Sequence, residues 1–440
     1  MRQTSKPKLK RELSFIKLTL TGVGIIFGAG IYALIGKVAG HAGYMIWLSF
    51  LISAIIAAFT GLSYAELSSM YPEASAEYIY TKKALKKMVA FVTSILVIFA
   101  LILSTAAVSF GFAGYFISLF NLSISPILPA ALLIIATFII ITIGIKETAW
   151  TGIIFAIIEA AGLIFIITVG LPHVGEIDLM QMPKDGFSGI ITAVLLIFFA
   201  YIGFEDMAKL AEETKNPKKT VPLSIVAAII IITIVYVLVS IAAVSVLDPW
   251  TLHESNSPLA DVAASAVGNK SYIALSIIAL FATANTVLFM LLAASRLTYG
   301  IAKEKIIPTV IAKVNKKTQT PIIASVIVAV LSIIFTFFGE IEVIANITDL
   351  LVFVIFVLIN LSLIILRYKE KDTKRKFKVP LNIGRFPVLA FLGLIFNLFL
   401  ITQFQSFVMI SASILILITL IIYFILEFWK SASYKAAEKF

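Results

Sequence analysis

The chain has 440 residues, 60% of them hydrophobic and 13% charged, and its mean hydropathy is +1.06. It has too little polar surface to cover a soluble globule, and no hydrophilic block is long enough to form a separate domain, so it reads as one polytopic membrane domain. It contains no cysteine, which excludes disulfides, thiolate metal sites and thiol nucleophiles. His41, His173 and His253 fall in short loops and make no ligand-like cluster, so neither a metal site nor a cofactor is expected.

Apolar spans lie near 14–39, 44–66, 88–119, 127–145, 151–171, 188–210, 221–246, 271–300, 321–338, 343–366, 387–404 and 407–429. Each is near or above the roughly 20 residues a bilayer core needs, which predicts about twelve transmembrane helices. The last two are separated by a tight turn near Gln403 to Ser406. The first span is too long for a cleavable signal peptide and others follow it. Residues 1–13 form a basic tail that is expected to be disordered.

With the N-terminus inside, all lysines and arginines except Lys37, Lys184 and Lys270 fall in inside segments, Lys146 among them. The positive-inside rule then places both termini in the cytoplasm. The net charge of +11 is spread over these segments, where it faces anionic lipid head groups and gives no signal for nucleic acid. The run Lys371 to Lys378 is expected to be a solvated loop, and Glu66 an interfacial charge at the end of the second span.

Two spans carry interruptions. In the first, glycines stand at 22, 24, 28 and 30, and each costs a helix interior about 1 kcal/mol relative to Ala. The stretch therefore predicts a break, although close packing of a neighbouring helix would also use small residues. Non-helical backbone survives at membrane depth only where it is buried in protein or lines a cavity, so a break there implies a binding site. The sixth span reads Phe198-Phe199-Ala200-Tyr201-Ile202-Gly203-Phe204-Glu205-Asp206, and carboxylates within an apolar span are expected to face a cavity. Gly28 lies 14 residues into the first span and Ile202 lies 14 into the sixth. The two spans run in opposite directions, as expected for an inverted repeat with paired discontinuous helices.

Four motifs in order then resemble the amino acid–polyamine–organocation (APC) transporters, over nearly the whole chain. They are Ile26-Phe27-Gly28-Ala29-Gly30-Ile31-Tyr32; Pro72-Glu73-Ala74 with Tyr78 and Tyr80; Gly203-Phe204-Glu205 followed by Ala211-Glu212-Glu213-Thr214, Asn216-Pro217 and Val221-Pro222; and Ser295-Arg296 with Tyr299, Ala302-Lys303-Glu304 and Pro308. The second motif departs from the family pattern at Ser75, Ala76 and Glu77. The resemblance implies an all-α polytopic membrane protein with an inverted five-plus-five repeat like that of the sodium-coupled leucine transporter. Its parts would be a basic tail (1–13), a first repeat (14–171), a second repeat (188–366), a basic loop (367–386), two extra helices (387–429) and a C-terminal tail (430–440).

The resemblance also implies a substrate site between helices 1, 3, 6, 8 and 10. Amides freed at Gly28, Ala29 and Gly30 stand at a helix N-terminus, where the dipole favours an α-carboxylate. Carbonyls near Ile26, Phe199, Ala200 and Ile202 are free to accept from an α-ammonium group, and Phe199 stands where relatives carry an aromatic gate. Thr105, Ser109, Phe289 and Met290 are further candidates for the pocket wall.

For ion coupling, Glu159 occupies a position where several proton-coupled members have lysine. It suits either a proton or, with Thr283, Asn285 and Thr286, a sodium ion; the plainer alternative is a polar contact that glues helices together. Glu205 matches an acidic position that the family uses near the site. Asp206, about 100° further round a helix, is expected to serve a different surface. Asp349 suits an outer gate or a local irregularity, and Glu212 and Glu213 an inner gate with Lys209 and Lys215 as partners. The expected function is a secondary active amino acid transporter of the cell membrane, working by alternating access with proton symport and acting as no enzyme. The alternatives are a polyamine or cationic amino acid transporter or exchanger, a sodium-coupled symporter and, more distantly, a non-transporting amino acid sensor.

Overall fold

The computed structural model describes residues 13–73, 75–143, 145–304, 306–315, 318, 320–338 and 341–437. Residues 1–12 of the basic tail, Ala74 of the second motif, Lys305, Lys316 and Lys317 of the inside segments, and the end of the C-terminal tail from 438 lie outside the described residues.

In chain order the helices are α1 (Phe15–Ile26), α2 (Ala29–Ala42), α3 (Ile46–Met70), α4 (Ala76–Ala84), α5 (Lys87–Phe120), α6 (Ile127–Ile143), α7 (Ile145–Gly170), α8 (Gly186–Tyr201) and α9 (Asp206–Lys209). They continue as α10 (Pro217–Val246), α11 (Pro249–Glu254), α12 (Pro258–Val267), α13 (Asn269–Lys303), α14 (Ile322–Phe335), α15 (Ile341–Lys369), α16 (Val388–Ile401) and α17 (Ser406–Ala437). A short hairpin, β1 (Asn382–Ile383) with β2 (Phe386–Pro387), pairs Ile383 with Phe386 between α15 and α16. Helix covers part of every one of the twelve apolar stretches. Among the described residues, eight helical runs are long and apolar enough to cross a membrane, and the other apolar helices, such as Ile127–Ile143 and Ile322–Phe335, are shorter. Lys146 falls in the first turn of α7 rather than in a loop.

The first apolar span breaks where its glycines are densest. Gly28 has φ −18° and ψ −171°, which ends α1 and lets α2 restart at Ala29. The glycines divide between the two readings open to them. Gly28 makes the break, whereas Gly30 permits contact: a β-carbon there would sit 2.6 Å from Ala200 Cα, so the backbones of α2 and α8 touch. The sixth span breaks after Tyr201, and Gly203, with φ +124°, turns the chain into α9. Glycine is the residue that tolerates this φ at little cost.

Backbone groups released in a water-poor interior need partners from the protein. Four tyrosine hydroxyls donate to carbonyls: Tyr236 to Ile26 at 2.7 Å, Tyr32 to Glu159 at 2.7 Å, Tyr115 to Tyr32 at 3.0 Å and Tyr201 to Phe50 at 3.1 Å. The first of these secures the last carbonyl of α1, right at the break.

At the basic end of the bundle three expectations are corrected. Leu13, assigned to the loose tail, bridges the strand-like backbone after α9: its amide donates to the Glu213 carbonyl at 3.0 Å and its carbonyl accepts from the Lys215 amide at 2.9 Å. Glu66 is no interfacial charge but fully buried. Arg367 grips both of its oxygens, Arg375 approaches at 3.1 Å, and the Val379 amide donates at 2.8 Å. The segment 371–378 is therefore not a simple solvated loop, because Arg375 turns inward while Lys371, Lys374, Lys376 and Lys378 stay exposed.

Candidate functional site

The two breaks lie side by side. α2 packs on α8, α1 packs on α10 and α9, and the Gly203 turn rests against Ile25 and Ile26 at the end of α1. The residues expected at the site are thereby brought together from two distant stretches. Phe199 and Ala200 are buried beside Gly30, Ile202 is partly covered, and Gly28 and Gly30 are buried. Ala29 contributes the first helical residue of α2. Gly28 also faces α13, where a β-carbon would lie 2.5 Å from Thr286 Oγ1. The Ile26 carbonyl already accepts from Tyr236, so any ligand there shares it with that hydroxyl.

Glu159 sits behind the first break. Its side chain is fully buried, and neither carboxyl oxygen has a hydrogen-bond partner among the described residues. The side chain of Asn285 on α13 approaches it, and Tyr32 and Tyr236 lie within electrostatic range. Asn285 Oδ1 is itself without a partner. Thr283 bonds back to the Ala279 carbonyl of its own helix. Thr105 and Ser109 do the same on α5, which satisfies their hydroxyls and leaves them no free donor; neither is among the residues that border the cavity described next.

From the second break a narrow cavity opens toward the basic end, with Ile202, Glu205, Asp206, Lys209, Glu77 and Tyr64 around it. Val352, Ile355 and Phe356 of α15 form an apolar wall. Glu205 is buried and accepts from the Gly203 amide at 2.9 Å, so it fastens the turn it stands in. Asp206 was expected on a different surface, yet it lines the same cavity. The 100° step assumed a continuous helix, and the chain is not helical from Ile202 to Glu205. Lys209 does not pair with Glu212 or Glu213 as expected; it bridges Asp206 at 2.5 Å and Glu77 at 3.4 Å. Sequence reasoning saw Glu77 only as a departure from a motif and so missed its place here.

At the opposite end polar contacts tie the helices together. His41 Nε2 pairs with Glu342 Oε1 at 3.1 Å, joining α2 to α15, and Lys37 donates to the His253 carbonyl at 3.1 Å. His41 and His253 are not scattered in separate loops. They lie at the ends of α2 and α11 with ring centroids 6.2 Å apart. Among the described residues no His, Cys, Asp and Glu group is arranged to hold a metal ion. Asp349, assigned to a gate or an irregularity, is fully buried in α15 and makes no ion pair among the described residues.

Interrupted helices that meet at buried backbone inside an apolar bundle, above a charged cavity, define a multi-pass membrane transport protein. The amino acid permease family model matches residues 13–426. The chain belongs to this family, whose members are transporters and not enzymes. It is similar to a branched-chain amino acid permease (BcaP) of Bacillus subtilis (strain 168), at 31% identity over 96% of this chain and 94% of that one. A methylthioribose transporter of the same organism is 28% identical over 86% of each chain. Cationic amino acid transporter 5 of Arabidopsis thaliana is 30% identical over 87% of this chain and 70% of that one.

Proposed function

We propose that the protein is a secondary active amino acid transporter of the cell membrane that works by alternating access with proton symport. The twelve apolar stretches are taken as twelve spans in an inverted five-plus-five repeat, with both termini cytoplasmic. The pairing of two breaks in oppositely directed spans supports that repeat, and the distribution of lysine and arginine supports the orientation. The substrate's α-carboxylate binds the amides at Gly28, Ala29 and Gly30, and its α-ammonium group binds carbonyls at Ile26, Phe199, Ala200 and Ile202. Phe199 closes over it. Glu159 carries the coupling proton and Glu205 relays it toward the cavity at the basic end.

The observation that carries this reading is the position of Glu159: a fully buried carboxylate without a hydrogen-bond partner among the described residues, on the turn of α7 whose backbone holds Tyr32, just past the break in the first span. An ionisable group at membrane depth is by default a candidate for a substrate or ion pathway. The test is uptake of labelled amino acids into proteoliposomes under imposed proton or sodium gradients, for the wild type and Glu159→Gln. Proton-driven accumulation that the variant loses, while it still binds substrate, supports the assignment. Accumulation driven by sodium alone replaces the proton with sodium at the same residue. A variant indistinguishable from wild type removes Glu159 from the pathway.

A further inference from the structure

Apart from the cavity, a groove at the basic end lies between the start of α5 and the end of α17, which pack together. Lys87 opens the apolar run Lys87–Phe120, and Glu427 stands beside the end of the run Ser406–Phe428. The rim that these two residues share with Tyr78 of α4 is therefore at the level where a bilayer's head groups begin. Phe91 and Tyr423, one turn deeper in their helices, bring their rings to 5.3 Å between centroids, and Leu426 completes an apolar wall. Beside the groove Phe424 and Phe428 are exposed on α17, so this side of the bundle faces acyl chains.

The rim is basic. Lys82, Lys83, Lys86 and Lys87 are all exposed, and among the described residues they make one ion pair, Lys87 with Glu427 at 3.2 Å. An exposed pair of this kind is weak, and one carboxylate leaves most of the local charge unneutralised. Lys82 reaches the groove by lying over the Tyr78 ring, 5.1 Å from its centroid, and Lys369 brings a further ammonium to the same corner by donating to the Lys83 carbonyl at 2.9 Å. A cationic rim above an apolar slot is complementary to a phosphodiester above an acyl chain, and basic pockets between spans recognise lipid head groups in this way. We propose that the groove is a binding site for an anionic phospholipid of the phosphatidylglycerol class, in the leaflet at the basic end. Its phosphate meets Lys82 and Lys87, and one acyl chain runs over Phe91, Tyr423 and Leu426. Neither the substrate site nor ion coupling enters this assignment, so it stands or falls apart from the transport reading.

The experiment titrates the full-length protein in neutral detergent with phosphatidylglycerol and with phosphatidylcholine of the same chains, counting bound lipid by native mass spectrometry. The wild type is expected to bind phosphatidylglycerol more tightly. Lys87→Gln is expected to weaken that binding about fivefold, and Lys82→Gln with Lys87→Gln about 25-fold. Lys374→Gln with Lys376→Gln removes the same charge from another exposed stretch, and is expected to change binding by less than about twofold. Glu427→Gln is expected to tighten it, because the carboxylate that competes for Lys87 is gone. Equal binding of the two lipids by the wild type overturns the proposal. So does an equal loss in the two double variants, which makes the attraction diffuse, and so does displacement of the lipid by millimolar inorganic phosphate, since a free anion then suffices without an acyl chain. If the Lys82 and Lys87 double variant does not elute as a monodisperse protein, Glu427→Gln carries the test, and unchanged or weaker phosphatidylglycerol binding there overturns the proposal.

Discussion

Glu66 and Arg367 stand 301 residues apart in sequence and form a bidentate pair in which both side chains are almost wholly withdrawn from solvent. The pair ties the end of α3 to the end of α15. Because Arg375 and the Val379 amide converge on the same carboxylate, it also folds the connection to α16 back under the bundle. Removing one member leaves the other charged and buried, which costs about 3–5 kcal/mol. Glu66→Gln is therefore expected to lower the thermal midpoint in detergent sharply, and Glu66→Gln with Arg367→Met to recover part of the loss. Equal midpoints for the wild type and the single variant would show that the pair adds nothing to stability.

Tyr236 offers a second test. Its hydroxyl satisfies the Ile26 carbonyl at the break, and Phe at this position leaves that buried acceptor short of a donor, at about 1–3 kcal/mol. Because the same carbonyl belongs to the proposed substrate site, Tyr236→Phe is expected both to melt earlier and to change KM for uptake. A lower midpoint with unchanged KM would place the Ile26 carbonyl outside the site.

Glycines at 24 and 30 should respond in opposite ways. A β-carbon at Gly24 meets Ala156 Cβ at 3.4 Å, whereas one at Gly30 meets the backbone of α8 at 2.6 Å. Gly24→Ala is expected to be neutral or to stabilise α1 by about 0.5–1 kcal/mol. Gly30→Ala is expected to cost about 1–3 kcal/mol and to reduce uptake, because α2 and α8 must separate. Thermal melts and uptake on the two variants side by side check the contrast.

The end that carries His41 and His253 has a pH dependence. Burial, with help from Lys37 and His41 and against the pull of Glu342, holds the His253 imidazole below its usual range. It is stacked on Trp250 and pressed against Gly40. The folded protein thus resists protonation there more than the unfolded chain does. The stability from His253 is present above the unfolded value of about 6.5 and is lost as pH falls through the lower folded value. The thermal midpoint is expected to drop between pH 7 and pH 5, and His253→Gln to flatten part of that slope. An identical slope in the variant would locate the sensitive group elsewhere.

The breaks were legible in the sequence because they are local: Gly28 and the Gly203 turn announce themselves in residues that tolerate unusual backbone. The partners that make the breaks tolerable were not. Nothing near Tyr236 points to Ile26, and nothing near Glu66 points to Arg367, since these contacts follow from how helices cross. Asp206 shows the opposite failure, in which a sound periodicity was carried through a stretch that is not a helix. Glu77 was hidden for a third reason: it departs from a familiar pattern, and its meaning appears only once Lys209 is beside it.

The connection between α15 and α16 alternates over 374–379, with Lys374, Lys376 and Lys378 outward and Arg375, Phe377 and Val379 covered. Every second residue therefore belongs to one face, and the spacing that brings Arg375 and Val379 to Glu66 is a matter of register. Exchanging the outward lysines changes little underneath. Adding or deleting a single residue between Arg375 and Val379 would exchange the two faces beyond that point and move the amide away from the carboxylate. The loop tolerates changes of composition far better than changes of length.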